Sequence, residues 1–266
     1  MLTTQSFFDL SDFPARQLFD PAAQAWQPLQ QLRSYMDTYN YPKYDNVYIR
    51  NGIPLTEHVI LHNGHTLCFN DLEIIYGDTT RGGMQVKRAG MLLEGATVIM
   101  AGAILTGDKI ALGKGVLVES GAMIKSPAII GDMSEVRQGA YLRGYCLTGK
   151  RCVLGHTTEI KHSILLNDAK AGHFAYLGDS ILGNNVNLGA GTKLANLKFL
   201  PGNVTVLYEG EQIDTSRRKL GAIFGDDCQT GCNSVTSPGT LMAKGAIIMP
   251  NTTAKGGYHK GKTIIR

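Results

Sequence analysis

A chain of 266 residues with 43% apolar and 18% charged side chains is long enough to bury a core and too apolar to remain unfolded. Its net charge of +4 is spread without a basic run, which argues against a nucleic-acid partner. No apolar stretch reaches membrane-span length, the first residues lack the blocks of a secretory signal, and five cysteines form no disulfide framework, so a cytoplasmic protein with no membrane partner is expected.

Residues 20–39 read as a helix, with Asp20 as cap, Pro21 in the first turn, and Trp26, Leu29, Leu32, Tyr35 and Met36 at helical spacing. Pro28 is expected to kink it or to end its first segment. Residues 1–45 are therefore expected to form a short helical arm, and 46–266 one further domain. The stretch YNYPKYDNVYIRNGIP reads as loop and short strand, and residues 59–90 as β-rich but irregular.

From Met100 a period of six sets in. Met100, Thr106, Leu112, Val118, Ile124, Ile130, Val136, Leu142, Thr148, Leu154, Ile160 and Leu166 are mostly apolar. Four residues after each lies a small or apolar one, from Ile104, Ile110, Val116 and Ala122 through Ala140, Cys146, Cys152, Thr158 and Ile164 to the exception, Lys170. Glycine often follows the first position, as at Gly107, Gly113, Gly131, Gly149 and Gly155. Helices repeat near 3.6 and strands near 2, so neither explains six. A short strand followed by a tight corner does, and three such units close a triangular coil of eighteen residues. The expected fold is all-β, a left-handed parallel β-helix of hexapeptide repeats. The phase is expected to slip around 170–181, and a loop with its own hairpin (NVTVLYEGEQI) to be extruded at 195–223. Long loops in compact folds usually serve function.

Arg143 and Lys161 are eighteen residues apart, so the repeat stacks two cations on adjacent coils, with Lys125 extending the column. Like charges about 5 Å apart repel unless an anion intervenes. A bound phosphate answers that repulsion; so would relief by Glu159 or Asp179 on a solvated column. His173 and Tyr176 fall at the expected slip, and His suits general-base work near neutral pH, with Glu159 one coil earlier to orient the ring. A purely structural role for a lone His is the bland alternative. His156, His162 and His173 together raise a zinc site like that of γ-type carbonic anhydrases, which share this fold, but their spacing differs from that family's and no metal is expected. Cys146, Cys152 and Cys228 sit at small inward positions, and Cys232 faces outward.

The stretch YLRGYCLTGKRCVLGHTTEIKHSILLNDAKAGHFAYLGDSILGNNVNLGAGT resembles the acetyltransferase domain of the bifunctional glucosamine-1-phosphate N-acetyltransferase/N-acetylglucosamine-1-phosphate uridylyltransferase family. The likeness is strong over 130–196 and weaker over 219–256, and the uridylyltransferase half is not matched. The resemblance implies His173 as catalytic base with Glu159 as its orienting carboxylate. It implies sugar-phosphate contacts at Arg143, Lys161, Tyr176, Asn187 and Lys219, and acetyl-CoA contacts at Ala190, Asn196 and Cys232. It further implies a homotrimer that uses acetyl-CoA and an amino-sugar phosphate, with no metal required for acyl transfer. The chain departs from the family at Leu197, where an aromatic is usual, at Cys232, where serine is usual, and by the insertion of 198–218. A non-catalytic sugar-phosphate or sugar-nucleotide binding protein is the alternative reading.

Overall fold

The computed structural model describes residues 2–68 and 71–266; Met1 of the arm and Phe69 and Asn70 of the 59–90 stretch lie outside the described residues. The chain winds as a left-handed parallel β-helix with three sheets as its walls. Sheet I runs from Thr97–Ile99 through Val153–His156, Lys170–His173 and Asn187–Leu188 to Ile264–Ile265. Sheet II runs from Ile104–Thr106 to Thr253–Ala254, and sheet III from Ile110–Leu112 to Gly257–His259. An antiparallel hairpin, Val59–His62 with His65–Cys68, joins the first strand of sheet I and starts the stack. Residues 39–54 form turns and bends, with no strand among them. Among the described residues no helix is long and apolar enough to cross a membrane.

One large and one small side chain from each hexad fill the interior. Ile124, Leu142 and Ile160 lie over one another, as do Ala122 and Ala140. Small polar inward residues bond to coil carbonyls, as Thr158 Oγ1 does to Ala171 O at 3.1 Å. An inward hydroxyl is therefore tolerated in an apolar prism.

Counting between inward residues locates every change of phase. Each step from sheet I to sheet II is six residues, as from Leu154 to Ile160 and from Ala171 to Leu177, and so is each step from III to I. Only the corner from II to III varies. It gains a residue between Leu105 and Leu112, and loses one between Ile160 and Leu165, between Leu177 and Leu182, and between Ala254 and His259. Between Leu194 and Phe224 it carries the whole insertion. This corrects the expected register at both ends. Ile99, Ala103 and Leu105 point inward in place of Met100, Ile104 and Thr106. The slip expected at 170–181 begins at Lys161-His162-Ser163. Leu165 and Ala169 therefore face inward, Ile164 and Leu166 pack on the outside, and Lys170 is no exception.

The arm explains the outward apolar residues. Helix α1 (Thr4–Phe7), helix α2 (Pro28–Thr38) and the turn before α2 lay Phe7, Trp26, Leu29, Leu32 and Met36 over Leu147, Ile164, Ile181, Ile223 and Leu241 of sheet III. Each such side chain contributes about 1.5–3 kcal/mol on burial. Strands of this wall, such as Ser163–Leu165 and Ala222–Phe224, are buried on both faces and show no polar alternation. The helix expected over 20–39 is shorter. Pro28, with its fixed φ and missing N–H, begins α2 rather than kinking it. The Asp20 carboxylate instead accepts from Ala22 N at 2.9 Å in a separate turn. The extruded loop does form its hairpin, Thr205–Tyr208 with Glu211–Asp214, and Val204 and Val206 join the cluster under the arm.

Candidate active site

With sheet III covered, sheet II presents its outer face. Tyr141, Glu159, Tyr176 and Lys193 form one outward column, each a register partner of the next. Lys125, Arg143 and Lys161 each follow an inward residue of this sheet (Ile124, Leu142, Ile160) and form a second column, nearer the corner with sheet III. The stacked cations expected from the eighteen-residue spacing are therefore present. Arg143 Nη1 lies 2.6 Å from Glu159 Oε1, and that bond holds the guanidinium above its ordinary pKa. Lys125 Nζ sits 5.7 Å from the centre of the Tyr141 ring, in cation–π range. Burial is the main cause that raises the Tyr176 phenol, which stands beside Glu159.

His173 lies where the chain turns from sheet I into sheet II, at the end of Lys170–His173. The register pairs it with His156, and the rings stack with centroids 5.4 Å apart at 22°. Phe174 is tilted against its ring at 6.2 Å. Glu159, expected to orient this imidazole, is instead held by Arg143. Ala190 and Cys232 continue the same corner upward: Gly191 N donates to His173 O at 3.0 Å, and Asn233 N to Ala190 O at 2.7 Å. Cys232 is exposed, whereas burial pushes the thiols of Cys146, Cys152 and Cys228 up to about 12.

The II/III corner carries a buried polar group that sequence reading missed. Asp179 Oδ2 accepts from Asn196 Nδ2 at 2.7 Å, while Oδ1 lies 3.2 Å from His162 Nδ1 and 3.3 Å from Arg217 Nη2. The His162 contact is close but poorly directed, since Nδ1 has no well-aligned acceptor. Burial works to raise the Asp179 carboxyl; the contact with His162 and the hydrogen bond from Asn196 outweigh it and hold the group below the usual carboxylate range. Burial likewise lowers the Arg217 guanidinium. Arg217 comes from the insertion, so this network ties the loop to the prism. The only hint in the sequence was the missing residue at Lys161-His162-Ser163.

Two expected contacts fall on this corner. Asn196 is buried with its amide turned toward Asp179, and its Oδ1 is 3.4 Å from the Tyr176 hydroxyl. Lys219 pairs with Leu197 at the base of the loop. Asn187 is exposed on sheet I, stacked between Lys170 and Gln229, and faces away from the cation column. His162 is buried at the II/III corner while His156 and His173 share the I/II corner, which separates the three histidines that raised the zinc alternative. Among the described residues no His/Cys/Asp/Glu cluster is arranged to hold a metal ion.

Comparison with known proteins adds a family. Residues 124–264 match the family model described as the GMPPB C-terminal domain. The chain is 37% identical over 151 residues to a bifunctional sugar-1-phosphate nucleotidylyltransferase/acetyltransferase of Sulfurisphaera tokodaii, covering 50% of this chain and 38% of that protein. It is 39% identical over 100 residues to the bifunctional protein GlmU of Methanocaldococcus jannaschii, covering 38% and 24%. A Clostridium acetobutylicum GlmU matches at 29% over 186 residues, covering 68% and 37%. The chain thus spans well under half the length of these relatives. A solved UDP-N-acetylglucosamine acyltransferase from Francisella novicida superposes at a TM-score of 0.42 and 15% identity, covering 59% of this chain and 58% of that one.

Proposed function

The chain belongs to the GMPPB C-terminal domain family, and from that premise we propose that it is an acetyl-CoA-dependent N-acetyltransferase acting on an amino-sugar phosphate such as glucosamine-1-phosphate. The observation that carries this reading is the wall of sheet II. It sets Arg143 and Lys161 in one cationic column with Tyr176 beside it, and His173 stands at the corner where the chain enters that wall.

The cations and Tyr176 hold the sugar phosphate, which turns a bimolecular encounter into a positioned one. The amine nitrogen attacks the thioester carbonyl carbon, and His173 takes the proton that the nitrogen sheds. The Ala190 N–H lies between Gly189 and Gly191, whose own N–H groups bond within the coils; it is the donor for the tetrahedral oxyanion. The C–S bond then breaks, and the CoA sulfur recovers its proton from the His173 imidazolium. No step calls for a metal.

Asn187 on sheet I and Arg143 on sheet II face outward from different walls of one prism. A second prism laid along the corner between them would enclose a ligand that touches both, together with Ala190 and Cys232. A homotrimer supplies one, with Asn196 and Lys219 acting from the base of the loop.

A second reading, sugar-phosphate binding without catalysis, draws on one observation: Glu159, expected to orient His173 as base, is bound to Arg143 instead. One set of measurements separates the two. Acetyl transfer to glucosamine-1-phosphate is expected from the full chain, and His173→Ala is expected to lower kcat by about 10²–10⁴-fold. Transfer by the variant within a few-fold of wild type removes His173 as base. Absence of turnover together with no rise in melting temperature at millimolar acetyl-CoA favours the binding protein.

A further inference from the structure

We infer that His156, which has no part in the mechanism above, is a positioning residue that fixes the orientation of the His173 ring through offset stacking. The inference rests on the reading of His173 as the base. A general base must aim one nitrogen at one proton, and an imidazole at an exposed corner has several rotamers open to it. The group expected to restrict it, Glu159, is engaged with Arg143 at 2.6 Å. The ring that lies parallel to His173 is that of His156, at 5.4 Å and 22°.

The backbone makes this stack hard to slide. Val153–His156 and Lys170–His173 are in register, residue 156 opposite 173. The residues that follow, Thr157 and Phe174, turn with φ of 48° and 52°, so both histidines leave their corners with the same local geometry. Gly155 and Gly172 lie one over the other so closely that a Cβ on Gly155 would strike the Gly172 backbone. Two imidazoles on a backbone packed this tightly are held at stacking distance by the coil spacing. The Phe174 ring, tilted at 6.2 Å, narrows the remaining freedom. His156 also borders a hollow of about 700 Å³ on the sheet I side, lined by Met100, Glu119, Arg137 and Gln138. It thus supports His173 from the neighbouring coil.

The test compares His156→Ala, His156→Phe and His173→Ala in the full chain. Glucosamine-1-phosphate and acetyl-CoA are the substrates, and the His173 ring-proton shifts are followed by NMR. His156→Ala is expected to lower kcat about ten-fold with both KM values within about two-fold, and to remove the ring-current displacement of the His173 signals. His156→Phe keeps an aromatic face without a titratable nitrogen, and is expected to restore both kcat and the displaced signals. A His156→Ala enzyme at full kcat beside an inactive His173→Ala overturns the positioning role alone. A His156→Phe enzyme as slow as His156→Ala overturns stacking as its cause. Activity surviving in His173→Ala overturns the base assignment, and this inference with it. In a chain without turnover, unmoved His173 signals in His156→Ala overturn the stack itself.

Discussion

The corner between sheets I and II and the corner between sheets II and III belong to the same coils and obey different rules. At the first, every step is six residues, glycines stack backbone on backbone (Gly155 over Gly172, Gly189 over Gly231), and His156, His173, Ala190 and Cys232 project outward. At the second, residues are gained, lost and inserted, and the polar side chains turn inward to a buried carboxylate. Backbones touch at the second corner too, where Gly221 meets Gly178, but at the first they accompany a constant six-residue step. A corner backed by side chains can absorb an insertion if its polar groups find partners. The invariant corner keeps a fixed geometry, and the variable one accepts a new loop.

The largest effect that would break this contrast is at the variable corner. Asp179→Asn leaves Arg217 and His162 without their anion and is expected to cost about 3–5 kcal/mol at neutral pH, measured by denaturant unfolding. The sign with pH follows from the depressed folded-state pKa. The carboxylate's contribution is complete above its unfolded value of about 4 and is lost as pH falls through the folded one, so the gap between wild type and variant is expected to close in acid. A gap unchanged between pH 7 and pH 3 would mean that Asp179 does not anchor the loop as a charge. At the invariant corner, Gly155→Ala is expected to cost about 1–3 kcal/mol, because its methyl must push against the Gly172 backbone. A neutral outcome there would show that this corner, too, can yield. The smallest effect belongs to the third corner, where Lys150 Nζ meets Asp12 Oδ1 at 2.9 Å across an exposed pair that links the arm to the prism. Lys150→Ala is expected to cost about 0.2–1 kcal/mol. A loss as large as that of Asp179→Asn would mean that the arm depends on charge rather than on its aromatic contacts.

Legibility in the sequence follows the same contrast. From Val118 to Ile160 the hexads name the inward residues correctly, because every corner in that span has the same length. From Leu182 onward the inward residues are again as the hexads name them. Between Lys161 and Lys170 the phase is misread, since Ile164, Leu165 and Leu166 are all apolar and any of them could face inward. Two of the three are apolar because the arm covers sheet III, a fact that lies more than a hundred residues away in the chain. The first coil is misread for a related reason: the extra residue between Leu105 and Leu112 leaves Met100 and Ile104 as plausible core residues one place off. For the candidate site, the column of Arg143 and Lys161 was readable from spacing, and the role proposed for His173 came from the resemblance of the surrounding block. The Asp179 network was not readable, because its partners stand 17 and 38 residues from it and meet only at one corner.

The sequence by itself determined the winding: a period of six with small partners and corner glycines permits few other folds, because side-chain pattern and backbone turn are local properties. Only the tertiary structure decided which corner would bear the changes in length, what the arm would cover, and that Glu159 would bind Arg143 while His173 stacks on His156. Those outcomes depend on which side chains reach the same volume once the coils are stacked, and that is settled by distances through space, to which spacing along the chain is blind.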